Sequence, residues 1–393
     1  MSRTATLLSL ALSLGTAAVL TAAPAAAATV PTAGPTAGPT AGPTAGPAAG
    51  PAAASAEGGS TTSATSESTV RPDGARTVTL YSGPVRVQRG AEWLPVDLTL
   101  QAGPDGVVRP AAAPHDLTLT PTGPSVRYAE GGSAAVVWPT PLPAPQLDGP
   151  KATYRQVRPG YDLEVEATRA GFVASVRKDG TPTGPAPDLK LTGNAEAVPD
   201  AGRSLTEAES AVSRVVAAAP VTDAAPVPFD TTTQTTVRNT DASGDPDLRL
   251  GSYDGKEAAR SYLTFDLTGT RSATVRSATL DLYQTWSASC RPRAWEVWTL
   301  PAGAVVGPKL RWANQPQGDR LRATSTDTRG NAATCAAGWS SVDVTGLVKE
   351  WAAAGATSGT VMLKAADEAD PLSWKRFASA ETATVPHLTV TLG

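Results

Sequence analysis

The sequence predicts an all-β protein: two β-sandwich-like units behind a signal peptide and a disordered tether. Three observations carry that expectation. Short runs of alternating apolar and polar residues recur along residues 71–393, and period-two alternation is the signature of a half-buried strand. Glycine (36) and proline (35) are abundant in the 393 residues and bound most of these runs, as turns between strands require. Only one segment, Leu347–Gly355, reads as a helix. Leu347 and Trp351 share a face there, and Gly355 suits the left-handed position that ends helices.

Composition excludes several functions. Two histidines, His115 and His387, and two cysteines are too few for a His-rich or Cys₄ metal centre. A net charge of −3 gives no global attraction to nucleic acid. A Ser-His-Asp triad would have to use His115 or His387, and no Gly-x-Ser-x-Gly elbow accompanies either.

In order along the chain, residues 1–28 carry Arg3, a short apolar run from Leu7 to Leu20 and an Ala-rich end. That is the pattern of a secretory signal peptide, with an apolar core too short to span a bilayer. The mature product is therefore expected to be secreted or associated with the cell wall, with no membrane contact after cleavage. Residues 29–70 repeat Thr-Ala-Gly-Pro and hold no aromatic residue, so they are expected to form a tether without a core. Residues 71–195 hold strand-like runs such as Val78–Leu80, Val96–Leu100, Leu163–Val165 and Phe172–Val176, with 13 basic and 12 acidic residues. They predict an N-terminal β domain of unassigned role. Asp162, Glu164 and Glu166 share one strand face there, a pattern that reads as a solvated face. Residues 196–228 read as a linker with room for one strand.

Residues 229–393 form the second unit and hold seven of the nine tryptophans and both cysteines. Two sheets with jelly-roll or Greek-key connections fit its strand runs and its one short helix. Cys290 and Cys335, in an exported chain, predict a disulfide. Between 285 and 335 lie seven basic residues against three acidic ones, while the whole unit is balanced at 17 and 17. Indole rings stack on sugar faces, and guanidinium forks pair with carboxylates. The candidate ligand-binding residues are therefore Arg291, Arg293, Trp298, Arg311, Trp312, Arg320 and Arg322. Trp295 and Trp298 have opposite strand parity, so at most one of the two faces the core of a regular strand. Asp241, Asp245, Asp247 and Asp254 form an acidic loop, a candidate for a structural calcium ion, with a second acidic cluster at Asp367-Glu-Ala-Asp370; no other cofactor is expected.

Ordered fragments of this unit include Leu248-Arg-Leu-Gly251, Arg260-Ser-Tyr-Leu-Thr-Phe-Asp266, Ser277–Tyr283, Trp312-Ala-Asn-Gln-Pro316, Val348-Lys-Glu-Trp351 and Trp374–Ser379. Together they resemble DNRLRE-domain proteins, also classed as carbohydrate-binding module family 96. The resemblance implies a β-sandwich that binds polysaccharide, with acidic polymers such as alginate as ligands. Tyr81–Arg86, Trp93–Asp97 and Pro159–Leu163 resemble the β region that precedes this module in actinobacterial secreted proteins of wall-associated and RHS types. The expected function is that of a secreted, non-catalytic, monomeric binder of an acidic polysaccharide or cell-wall polymer. The alternatives are a structural or adhesive scaffold, a remnant of a wall-associated export system, and a polysaccharide-acting enzyme.

Overall fold

Alternation becomes pairing in the computed structural model, which describes residues 61–129, 131–197, 211–218, 228–239 and 241–393. The signal peptide and the Thr-Ala-Gly-Pro repeats lie outside these residues. The described chain is antiparallel β structure with one α-helix and several short 3₁₀ turns. No helix among the described residues is long and apolar enough to cross a membrane.

The N-terminal sandwich packs two six-stranded sheets face to face. One runs through strands Asp97–Ala102, Val108–Ala112, Asp116–Thr120, Gly123–Arg127, Ser133–Val137 and Lys190–Gly193. The other is built on Lys151–Arg158, Tyr161–Ala167 and Gly171–Lys178. Inward residues such as Leu117, Val126, Leu163, Phe172 and Val176 fill the core between them. The carboxylate row splits by environment: Asp162 is buried against Arg155 at 2.6 Å, while Glu164 and Glu166 share Lys151. The segment expected to be a linker supplies Ala211–Ala218, which pairs with Gly171–Lys178 and lends Val215 and Ala217 to this core.

The C-terminal sandwich has two layers. In the first, strand Val275–Ser287 pairs along one edge with His387–Leu392 and then Lys375–Ala378, and along the other with Gly338–Asp343. Asp247–Ser252 follows Lys375–Ala378 and meets the second layer at Gly251 and Ser252. The second layer orders Phe229–Gln234, Ala258–Asp266, Ser358–Ala365, Trp295–Thr299 and Arg320–Ser325. Leu280, Leu282, Leu388 and Val390 from one layer meet Leu263, Phe265, Trp295, Val361 and Leu363 from the other. Helix Thr345–Ala353 places Leu347, Val348 and Ala352 on the same core, and Gly355 follows it at φ +63°.

Two boundaries differ from the sequence reading. Residues 61–70 were expected in the tether and 71–81 in the first unit. Instead Ser66–Val70 pairs with Arg76–Tyr81, and Arg76–Tyr81 pairs over six residues with His387–Leu392. Val78 and Leu80 sit in the core of the C-terminal sandwich, each 2% exposed. Alternation reports that a strand exists and not which sheet accepts it.

The two sandwiches also lock together. The buried Arg169 guanidinium, from the first, donates to the carbonyls of Thr382 and Pro84, each at 2.7 Å. Buried Gly244 leaves no room for a side chain, since a Cβ there would lie 2.7 Å from both Val216 and Ala218.

Cys290 and Cys335 form the expected disulfide. It joins residues 45 apart, so chain entropy alone is worth about 4 kcal/mol. Replacing both cysteines by serine is expected to lower the free energy of unfolding by an amount of that order, read as a lower denaturation midpoint. An unchanged midpoint would show that the crosslink leaves the unfolded ensemble unaffected.

Candidate carbohydrate-binding surface

Strand parity decides which side chains are available to a ligand. In the second layer Val361, Leu363 and Ala365 point inward, leaving Thr360, Met362 and Lys364 on the outer face. On the neighbouring strand Trp295 is fully buried and Trp298, at opposite parity, is partly buried beside Glu296. Arg260 and Tyr262 face outward on the strand beyond. The connection from 300 to 319 folds over part of this face, where Val306 and Leu310 pack on Phe229, Tyr262 and Met362.

What stays open is a cleft of about 100 Å³ lined by Arg260, Trp298, Gln317, Gly318, Met362 and Lys364. Sites that enclose a small ligand begin near ~300 Å³, so this cleft is too small to enclose one. Lys364 Nζ is 5.6 Å from the centre of the Trp298 ring, and Arg260 is 5.3 Å from that of Trp312. Both are cation–π contacts. Glu296 accepts a 2.8 Å bond from Trp298 Nε1, and Glu368 holds Arg260 through two bonds of 2.8 Å. Arg260 also donates to Gln317 Oε1 at 2.8 Å. Lys364 has no carboxylate within ion-pair distance among the described residues. Gly318 is required for this closeness: a Cβ there would lie 2.9 Å from Trp298 Cε3 and 2.8 Å from Met362 Cε.

The seven residues singled out from the sequence divide. Trp298 and Trp312 come together on this face. Arg293 instead pairs with Asp370 at 2.5 Å, and Arg311 bonds to the carbonyls of Asn239, Pro308 and Leu310. Arg320 and Arg322 both reach Glu350 on the helix, Arg322 through two bonds. Arg291 is exposed, and its side chain makes no hydrogen bond or ion pair among the described residues. Two carboxylates from distant segments, Asp370 and Glu350, thus take up three of the span's arginines.

The four aspartates of the acidic loop do not converge. Asp241 caps the Ser243 N–H, and Asp245 pairs with buried Arg249 at 2.6 Å. Asp247 pairs with Arg376 at 3.0 Å, while Asp254 accepts from the N–H groups of Lys256 and Glu257. Among the described residues no group of three or more His, Cys, Asp or Glu side chains could hold a metal ion. Asp-rich turns here serve backbone capping.

Sequence reasoning missed a second cluster, on the outer face of the first layer. Tyr81, His387, Trp339 and Tyr283 form a row with ring centres 5.4, 5.0 and 5.5 Å apart. Trp339 is 41% exposed, the one aromatic among the exposed large hydrophobic residues described. Asp281 lies within the row, accepting from Thr389 Oγ1 at 3.2 Å and from Ser341 Oγ, with His387 Nε2 at 3.6 Å. Neither histidine bonds to a serine hydroxyl among the described residues: His115 Nε2 meets the Thr168 carbonyl, and His387 Nδ1 that of Val385. Burial lowers the His115 pKa below the usual histidine value.

The C-terminal unit is a two-layer antiparallel sandwich with an indole on the outer side of each layer. Residues 225–392 match the model of carbohydrate-binding module family 96, and this part of the chain is such a module. No curated protein matches the chain. Carbohydrate is thus the class of ligand that the module's family points to.

Proposed function

We propose that the module binds an acidic polysaccharide or cell-wall polymer outside the cell, through the Trp298–Trp312 face and without catalysing a reaction. The observation that carries this reading is the Trp298 indole on the outer face beside Lys364, a cation without a carboxylate partner among the described residues, with Trp312 next to it against Arg260. A sugar face can stack on indole while a uronate or phosphate group takes the ammonium. The disulfide supports an extracellular setting, as does the signal-like sequence at residues 1–28.

The test is retention of the whole chain on immobilised alginate over a salt series. Ion pairing at an exposed site is screened as the Debye length shrinks from about 10 Å at 0.1 M to about 3 Å at 1 M. Retention is expected to weaken steadily with salt, and Lys364→Glu to reduce it about tenfold at low salt, about 1.4 kcal/mol. Retention that ignores both salt and Lys364→Glu would rule out the acidic ligand.

A further inference from the structure

The row Tyr81–His387–Trp339–Tyr283 sits on the layer opposite the Trp298 cleft, and nothing in the proposed function uses it. Its geometry follows from register. Tyr81 pairs directly with His387, His387 with Asp281, and Tyr283 with Trp339, so four adjacent strands present side chains to one face. On these strands Val78, Leu80, Leu388, Leu280 and Val342 point into the core. Parity therefore fixes the row outward.

An exposed tryptophan held edge-on by Tyr283 and His387 is a preset surface: its partners limit its rotamers before any ligand arrives. Around the rings the face carries hydroxyls, including those of Thr79, Thr389 and Ser341. Its charges are Asp281, Asp343 and Glu67, the last paired with Arg86. Tyr81 donates to Glu67 Oε1 at 3.0 Å. The row thus offers stacking surface, hydroxyls and carboxylate acceptors for sugar hydroxyls, and no unpaired Lys or Arg for an anionic group.

We propose that this row is a second saccharide-binding site, selective for a neutral glycan chain, and that Tyr81 completes it from outside the family 96 segment. Charge separates it from the first site. Lys364 at the Trp298 cleft favours an anionic sugar, whereas Asp281 and Glu67 disfavour one. The row spans three ring-to-ring steps, a run suited to an extended chain. The strand that carries Tyr81 belongs to this sandwich by pairing, although the matched family segment begins only at residue 225.

The test uses the whole chain, with hydroxyethylcellulose and xylan as neutral probes and alginate as the acidic one, read by affinity electrophoresis. Trp339→Ala is expected to weaken binding to a neutral probe at least tenfold and Tyr81→Ala at least threefold, with alginate binding changed less than twofold. Trp339→Phe should recover most of the neutral binding, and Trp298→Ala should leave it intact. Circular dichroism checks folding, and Tyr283→Ala gives an independent reading if Trp339→Ala is unstable. Failure to retain either neutral probe overturns the proposal, as does neutral binding that survives loss of both Trp339 and Tyr283. Equal loss of alginate binding in Trp339→Ala also overturns it. A wild-type chain that ignores alginate but shows the neutral pattern overturns only the acidic-ligand reading.

Discussion

Replacing Leu80 by aspartate is expected to destabilise the carbohydrate-binding sandwich severely, although Leu80 lies well upstream of the segment that matches the family. Leu80 is 2% exposed, and its strand pairs along six residues with His387–Leu392. Its side chain packs in one core with Leu280, Leu388 and Val390. Burial of a leucine contributes about 1.5–3 kcal/mol, and an unpaired carboxylate in its place adds a desolvation cost of several kcal/mol. The sum approaches the ~5–15 kcal/mol that holds an ordinary domain together. Thr79→Asp, one residue away on the outer face, should change stability by less than about 1 kcal/mol. Chemical denaturation of the two variants checks this, and equal midpoints would contradict the strand assignment. For the same reason the isolated segment 225–393 is a poor reagent: without residues 61–81 the His387–Leu392 strand loses a partner.

Stability should also fall as pH rises from about 4 to about 8. The cause lies where the sandwiches meet. Asp230 is buried, with Oδ2 accepting from Ser82 Oγ at 3.0 Å and from the Ala380 N–H at 2.8 Å. Burial pushes its pKa up to about 7. Glu381 keeps part of its surface in water, but its Oε2 is enclosed and unbonded. Burial, and secondarily the charge of Asp230, raise its pKa to about 8. In each case the folded chain holds its proton over a range where the unfolded chain has released it. Folding is then favoured below the unfolded carboxylate pKa and progressively weakened until the folded pKa is passed. The size is on the order of a few kcal/mol. Lys375 acts oppositely at higher pH, because burial lowers its pKa to about 8. Between there and the unfolded lysine value the unfolded chain binds more protons, so stability partly recovers. Thermal midpoints from pH 4 to pH 10 should thus pass through a minimum near 8. Asp230→Asn with Glu381→Gln should flatten the acidic limb, whereas a limb of unchanged slope would place its origin elsewhere.

Much of the fold was legible from local pattern. Val275–Ser287, Trp295–Thr299 and His387–Leu392 alternate plainly, and the helix with its terminal Gly355 is written in one segment. Strand destinations were not legible. Residues 66–81 look like any other alternating run, and only long-range pairing reveals that they extend the C-terminal sandwich. The site was half legible for a similar reason. Trp298 declares its exposure through parity with Trp295, but the partners of the arginines come from far along the chain. Asp370 lies 77 residues from Arg293, and Glu350 lies 28 from Arg322. A local count of charge registers the arginines and misses the carboxylates that neutralise them. Trp339 presents the converse case. Its sequence neighbours are unremarkable, and its ring partners sit on strands ending at Tyr81, crossing at Tyr283 and beginning at His387.

The central claim is that this chain recognises carbohydrate through aromatic side chains on the sandwich face and not through the arginine-rich span as such. The most direct measurement compares alginate affinity of the whole chain with that of Trp298→Ala and of Arg291→Glu. Arg291 is the one residue of the seven whose side chain is exposed and unpaired among the described residues. The account predicts at least a tenfold loss for Trp298→Ala and less than a threefold loss for Arg291→Glu. The reverse order would return recognition to the basic span and contradict the assignment.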